Sequence, residues 1–105
     1  MSHEVRVCAT TDIEPSSAKR FVVDGQPVCV VRVADSYYAI GDRCSHADFS
    51  LADGEVYPGE LEIECWKHGS TFSLVDGKPQ SLPATRPVPV YDVKVAGTDV
   101  LVVIR

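Results

Sequence analysis

The segments "RCSHADFS" at residues 43–50 and "ECWKHGST" at residues 64–71 decide how this sequence is interpreted. The first contains Cys44-x-His46 and the second contains Cys65-x-x-His68, with eighteen residues between His46 and Cys65. The chain has only four cysteines and three histidines, so these short segments concentrate both residue types. Thiolate and imidazole together suit zinc, copper and iron-sulfur centres. The pattern therefore predicts a metal centre held between two loops.

The rest of the chain has the signals of β-strands. Alternation of apolar and polar residues, or enrichment in β-branched residues, predicts strands at Val5–Thr10, Pro27–Val33, Leu61–Cys65, Val90–Val95 and Val100–Ile104. The segment "YYAIGD" before Cys44 is interpreted as a further strand that ends in a loop.

Short turn signals separate these strands: Asp24-Gly25, Asp53-Gly54, Asp76-Gly77 and Ala96-Gly97-Thr98-Asp99. No segment maintains a 3.6-residue apolar period, so only a short helical turn near Asp12 is expected. Strands spaced in this way favour an all-β fold, an antiparallel β-sandwich or barrel. The length of 105 residues predicts one domain over residues 1–105.

Composition excludes several classes of protein. With 45% apolar and 24% charged residues, disorder is not expected, and the longest aliphatic run, Val100–Ile104, is too short to span a membrane. The net charge of -5 argues against a nucleic-acid partner and favours a basic protein partner. We therefore expect a soluble, cytoplasmic protein that binds neither membrane nor nucleic acid.

Three interpretations of the cysteines compete. Four cysteines could form two disulfides, but such scaffolds normally accompany a secretion signal and a higher cysteine density. A single tetrahedral zinc ion with two cysteines and two histidines is the main alternative. Because each loop is mixed, the pattern also suits a two-iron cluster in which both thiolates bind one iron and both imidazoles the other. Cys8 and Cys29 lie inside strand patterns, where buried core positions are expected.

Cys44-Ser45-His46 and Cys65-Trp66-Lys67-His68-Gly69-Ser70 resemble the two boxes of the Rieske [2Fe-2S] family. The longer segments around them resemble the small Rieske ferredoxins that supply electrons to ring-hydroxylating oxygenases, and the resemblance covers essentially the whole chain. It implies a Rieske-like antiparallel β-sandwich or barrel. It also implies a small cluster-binding subdomain, at about residues 42–85, made of two hairpin loops.

The resemblance implies one [2Fe-2S] cluster per chain. Cys44 and Cys65 would bind the buried iron, and His46 and His68 would bind the iron nearer to solvent. Around the cluster the resemblance places Ser70 and Pro83. Trp66 lies between two of these ligands on a loop, where we expect it to be partly exposed as a contact for a partner; the alternative is that it covers the cluster as a hydrophobic shield.

High-potential Rieske proteins have an extra cysteine in each box, but Phe49 and Lys67 occupy those positions here, so that disulfide is absent. Ser70 matches a serine that donates a hydrogen bond to the cluster, whereas Phe72 replaces a tyrosine with the same role. Fewer such hydrogen bonds stabilise the reduced cluster less. We therefore expect a reduction potential in the lower part of the Rieske range.

The sequence predicts an electron carrier and not an enzyme. Once His46 and His68 are assigned, only His3, expected to be a disordered terminal residue, remains for any mononuclear iron site, and no G-x-G-x-x-G segment is present for a dinucleotide. The expected partners are a reductase and an oxygenase, docking at the histidine end of the cluster. Those acids between Asp42 and Glu64 that face outward would steer a basic surface there, although Glu62 and Glu64 could equally be the solvent face of a strand. The seven acids are Asp42, Asp48, Asp53, Glu55, Glu60, Glu62 and Glu64. A redox accessory of iron-sulfur assembly and a structural zinc-binding interaction module are the alternatives.

Overall fold

The computed structural model describes residues 3–43, 50–66, 69–80 and 86–104. Over these ranges the chain forms nine strands: β1 His3–Ala9, β2 Ser17–Val23, β3 Gln26–Val33, β4 Ser36–Gly41, β5 Val56–Tyr57, β6 Glu62–Glu64, β7 Thr71–Ser73, β8 Val90–Ala96 and β9 Asp99–Ile104. The helical content of the same ranges is two single turns of 3-10 helix, Thr10–Asp12 and Leu51–Asp53. The predicted all-β fold and the predicted turn near Asp12 are confirmed.

Two antiparallel sheets organise the strands. The larger has six strands in the order β1-β9-β8-β4-β3-β2 and curls into a half-barrel. The smaller has three strands in the order β5-β6-β7 and lies between β4 and β8 along the chain. The six-stranded sheet therefore contains both ends of the described chain, and the three-stranded sheet is an insertion into it.

The tight turns follow the local sequence. Asp24 and Gly25 join β2 to β3 with φ angles of 51° and 78°, the paired left-handed conformation that a two-residue hairpin of type I′ requires. Between β8 and β9, Gly97 alone is left-handed, with φ 62°, in the two-residue turn formed with Thr98. Both turns were predicted, and both are confirmed.

The buried side chains form two clusters on opposite faces of β3 and β4. The first, the sheet core, consists of Cys8, Ile13, Val23, Val28, Val30, Ala39, Val100 and Val102. The second, the loop core, consists of Cys29, Val31, Ile40, Leu51, Ile63, Cys65, Phe72, Leu74 and Val88. Because alternate side chains of a strand point to opposite faces, Val28 and Val30 enter the sheet core and Cys29 and Val31 enter the loop core. This explains why β3 is a nearly continuous apolar run.

The first strand corrects one expectation. His3, expected to be a disordered terminal residue, belongs to β1, and its Nε2 lies 2.6 Å from a carboxylate oxygen of Asp24. The strand also ends at Ala9, one residue earlier than predicted. No helix in the described ranges is long and apolar enough to cross a membrane.

Candidate metal centre

The second cysteine-histidine segment is a closed hairpin loop. Strand β6 ends at Glu64, and Cys65 follows it directly. The N–H of Cys65 donates to the carbonyl of Ser70 at 2.7 Å, and the N–H of Gly69 donates back to the carbonyl of Cys65 at 2.9 Å. Gly69 has φ 74°, a left-handed conformation that glycine adopts without steric cost. The sequence therefore closes the loop tightly and fixes the backbone of Cys65.

The first segment is also closed at its base. Arg43 and Ser50 form an isolated antiparallel bridge that brackets the six residues 44–49. The adjacent residue Asp42 accepts a hydrogen bond from the N–H of Leu51 at its carbonyl. Both ends of the first loop are thus held together, as the predicted hairpin geometry requires.

The bases of the two loops lie against each other. Gly54, just after the first loop, approaches the backbone of Glu64 so closely that an added Cβ would lie 1.6 Å from the carbonyl oxygen of Glu64. The N–H of Glu64 donates to the carbonyl of Glu55 at 2.8 Å. Leu51 and Cys65 belong to the same loop core. Glycine at position 54 is therefore what allows the two loop bases to be neighbours.

Of the four predicted ligands, the structure describes Cys65. Cys44 and His46 in the first loop and His68 in the second lie outside the described residues, as does Pro83. The positions of the loop bases support the predicted convergence of the ligands, and the ligand set itself stays a prediction.

The surroundings of Cys65 fit a sulfur ligand of an iron-sulfur cluster. Cys65 is a free cysteine, fully buried in the loop core among side chains that include Ile63 and Phe72. A bare thiolate is unfavourable in such apolar surroundings unless a metal compensates its charge. An oxidised two-iron, two-sulfide cluster with two thiolates and two neutral imidazoles has no net charge, so a buried site can accommodate it.

The other described cysteines are separate from this loop. Cys8 lies in the sheet core, where burial, and to a smaller extent Asp12, raises the pKa of its thiol. Burial, and then the negative charge of Asp42, raises the pKa of the Cys29 thiol well above its ordinary value. Both are free cysteines that fill the core, as predicted. Three free cysteines contradict a framework of two disulfides.

Two residues predicted to affect the potential are fully buried beside the second loop. Ser70 closes the base of the loop, and its side chain is inaccessible to solvent. Phe72 lies two residues further on, paired with Ile63 across β6 and β7, and its ring belongs to the loop core. Phe72 therefore contributes packing at the position where a hydroxyl would act in the high-potential proteins.

Trp66 lies on the surface next to Cys65. It is 51% exposed, in agreement with the predicted partial exposure. Its position immediately after a predicted ligand makes it a candidate contact for a partner protein, since exposed tryptophans are frequent anchors of interfaces.

Of the seven acids between positions 42 and 64, Asp48 lies outside the described residues, and the other six separate into two groups. Asp42 is only 2% exposed and forms an ion pair with Arg20, so it is not one of the outward-facing acids. Asp53, Glu55 and Glu60 are exposed, and Glu62 and Glu64 are half-buried on β6.

Tyr57 links two of these acids. Its hydroxyl lies 3.1 Å from Oε2 of Glu64 and 3.2 Å from Oε2 of Glu55. These carboxylates, Glu64 first, raise the pKa of the Tyr57 hydroxyl to about 12. Neither Tyr57 nor Arg20 was predicted from the sequence, because neither belongs to a motif. The partner of Arg20, Asp42, is also distant in the sequence.

The chain is similar to known proteins along most of its length. The profile of the Rieske [2Fe-2S] domain family matches residues 3–92. The chain belongs to this family. A curated relative, the ferredoxin component of biphenyl 2,3-dioxygenase from Rhodococcus jostii (strain RHA1), is 36% identical over 97 residues, which are 92% of this chain and 89% of the relative.

Solved structures agree with this Rieske assignment. The ferredoxin of carbazole 1,9a-dioxygenase from Nocardioides aromaticivorans IC177 is 44% identical, with a TM-score of 0.92 over 94% of this chain and 95% of that chain. A ferredoxin in the complex of reduced oxygenase and oxidised ferredoxin of carbazole 1,9a-dioxygenase is 38% identical, with a TM-score of 0.86 over 94% and 91%.

Membership of the Rieske family confirms the predicted cofactor, one [2Fe-2S] cluster per chain, and excludes the zinc module. The relatives are named as ferredoxin components of dioxygenase systems, which confirms the predicted electron-carrier class and not a catalytic subunit.

Proposed function

We propose that this Rieske protein is the ferredoxin of a ring-hydroxylating dioxygenase system and carries single electrons from a reductase to the oxygenase. The observation that carries this proposal is the match to a dioxygenase ferredoxin component along about nine-tenths of both chains. The solved complex of oxygenase and ferredoxin supports the oxygenase as the acceptor. The same names favour this role over iron-sulfur assembly.

The proposed ligands are Cys44 and Cys65 for the inner iron and His46 and His68 for the outer iron. The full burial of Cys65 supports its inner position. When bound, the cluster accepts and releases one electron, and histidine ligation places its potential at roughly -150 to +300 mV. Phe72 adds no hydroxyl there, which supports a value in the lower part of this range.

The cluster-binding unit is proposed to extend over about residues 42–85 within a single domain, residues 1–105. The three-stranded sheet and both loop bases lie inside this segment, which supports the assignment. The chain's own residues close the loops, exclude water from Cys65 and expose Trp66. A cytoplasmic location stays a prediction.

The docking surface is proposed to surround the histidine end of the cluster. Residues 51–66 contain five acids and no Lys or Arg: Asp53, Glu55, Glu60, Glu62 and Glu64. The ten other acids are matched in number by the ten Lys and Arg residues of the chain. The net charge of -5 is therefore equal to the charge of this one segment, which borders Cys65 and the exposed Trp66. A basic partner surface complements it.

Docking is tested by the rate of electron transfer from the reduced protein to an oxidised aromatic-ring oxygenase at several salt concentrations. E60Q/E62Q is expected to slow the second-order reaction and to weaken its salt dependence. The single variants E60Q and E62Q are compared with D35N, which removes one charge from an exposed acid in the turn between β3 and β4. Equal salt dependence in E60Q/E62Q and wild type would contradict the docking proposal.

The function itself is tested by the electron-spin spectrum of the reduced protein and by its reoxidation with the oxygenase. Wild type is expected to show a Rieske signal that disappears in a single turnover with the oxygenase. C65S is expected to lose the cluster, whereas C8S, which alters a cysteine of the sheet core, is expected to retain it. A Rieske signal that persists on mixing with oxygenase would contradict the proposed role.

A further inference from the structure

Asp42 is a buried carboxylate at the start of the first loop. Its side chain is 3% exposed, and it lies two residues before the proposed ligand Cys44. Asp42 is thus a buried charged residue, and the electron-carrier function alone does not explain its burial. A carboxylate is buried at a cost unless hydrogen bonds and an opposite charge compensate it.

The contacts of Asp42 join both ends of the first loop. Its Oδ1 accepts a hydrogen bond from the N–H of Ala52 at 3.0 Å, and its carbonyl accepts one from the N–H of Leu51. Its own N–H donates to the carbonyl of Pro27 on β3 at 3.1 Å. Residue 42 on one side of the loop is thereby fixed both to residues 51 and 52 on the other side and to the six-stranded sheet.

Arg20 supplies the opposite charge from a different strand. Its Nε lies 3.2 Å from Oδ2 of Asp42, and its side chain on β2 is 53% exposed. The two carboxylate oxygens of Asp42 thus have separate roles, since Oδ1 holds the backbone after the loop and Oδ2 is paired with the guanidinium. The ion pair with Arg20 and the hydrogen bond from Ala52 together orient the carboxylate of Asp42.

We propose that Arg20 and Asp42 are a positioning pair for the Rieske cluster, which fixes the span of the first ligand loop and contributes to the electric field at the cluster. The inference rests on the proposed function, because Cys44 and His46 are the proposed ligands in that loop. Residues that orient metal ligands through hydrogen bonds affect affinity by about 10- to 100-fold when they are mutated. The described contacts of Arg20 and Asp42 are at the base of the loop, so the pair would orient the ligands through the loop backbone.

The two members of the pair have opposite effects on the potential. D42N removes a negative charge and keeps an oxygen that can accept from Ala52, so reduction of the cluster becomes easier and the potential rises. R20Q removes the positive charge that compensates Asp42, so the potential falls. A general loosening of the fold would not produce shifts of opposite sign, which distinguishes positioning from a merely structural role.

The test uses the cluster-loaded protein and a matched control pair. Arg6 and Asp99 form an ion pair with an Nε–Oδ1 distance of 2.8 Å between β1 and β9, with both side chains about half exposed. R6Q and D99N therefore repeat the two charge changes away from the loops. For each variant the midpoint potential, the spectrum of the reduced cluster and the rate of cluster loss to a chelator are measured.

D42N is expected to lose its cluster about tenfold faster than wild type, R20Q by a smaller factor, and the controls at the wild-type rate. The potential is expected to rise in D42N and to fall in R20Q. Shifts of the same sign, or wild-type rates and potentials in both variants, would overturn the inference. If D42N does not fold, R20Q decides alone, because half-exposed Arg20 tolerates replacement: a lower potential with faster cluster loss supports the pair, and no change overturns it.

The result also separates this inference from the proposed function. Wild-type protein that binds no Rieske cluster would overturn both. A normal wild-type Rieske signal with unaltered variants would overturn the positioning pair alone.

Discussion

The two sheets of this protein achieve order in different ways. Strands of the six-stranded sheet have six to eight residues and share the sheet core, whereas β5, β6 and β7 have only two or three residues each. Such short strands are not stable on their own. The three-stranded sheet depends on the loop core beneath it and on the ligand loops at its end. We therefore expect the six-stranded sheet to be stable through apolar burial alone and the three-stranded sheet to require the cofactor in addition.

Removal of the iron should have the largest effect, and it should affect the two sheets differently. Binding of a metal contributes to folding when the free site is not preformed. In the apoprotein we expect amide exchange in β5–β7 to accelerate by about a hundredfold or more, with β3 and β9 much less affected. Hydrogen exchange with mass spectrometry on loaded and stripped protein measures this. Equal acceleration in both sheets would show that they unfold as one unit.

Gly54→Ala should have the next largest effect, because its Cβ would overlap the carbonyl of Glu64. We expect the free energy of unfolding to fall by about 3 kcal/mol or more, measured by urea denaturation. Gly59→Ala is the control, since an added Cβ there meets nothing within 4 Å. A similar small change in both variants would contradict the close approach of the loop bases.

Val30 and Val31 are neighbours on β3 but belong to different cores, so their variants test the two cores separately. Val30→Ala leaves a cavity in the sheet core and Val31→Ala leaves one in the loop core. Each is expected to lower the free energy of unfolding by about 2 kcal/mol. Only Val31→Ala should also accelerate loss of the cluster to a chelator. Equal cluster loss in the two variants would argue against two separate cores.

The smallest effect concerns Tyr57. Its pKa of about 12 in the folded protein lies above the ordinary value of 10, so the folded state holds the phenol proton more tightly than the unfolded state. The stabilisation is complete below pH 10 and disappears as the pH rises towards 12. Denaturation midpoints from pH 8 to 11.5 should therefore decline less in Tyr57→Phe than in wild type. Parallel declines would remove Tyr57 as the cause.

The sequence predicted the strongly patterned elements well. The predicted strand Pro27–Val33 corresponds to β3, and the final strand was predicted as Val100–Ile104 within β9. Strand β2 was missed, because it is an edge strand with exposed Lys19 and Arg20, and its apolar residues do not alternate regularly. Strands β5 and β7 were missed because two or three residues provide too little pattern for a periodicity to be detected.

The candidate site was predictable to the extent that it depends on motifs. The strand pattern before Cys65 predicted a loop at the end of a hairpin strand, and the hydrogen bond from the N–H of Cys65 to the carbonyl of Ser70 closes the base of that loop. The burial of Asp42 could not be predicted, because it depends on Ala52 and on Arg20, which approaches from an edge strand. The charge of Asp42 suggested a position on the surface, but its contacts with Ala52 and Arg20 bury its side chain.

The two-sided burial of β3 limits how this protein can be divided. Val31 and Ile40 are inaccessible only while the segment that contains Leu51, Ile63 and Phe72 covers them. A truncated chain without residues 42–85 would leave that apolar wall facing water, and such a surface favours aggregation. The ligand-bearing segment therefore also covers one apolar face of the remaining sheet. Grafting this segment onto another scaffold would require an equivalent apolar face on that scaffold.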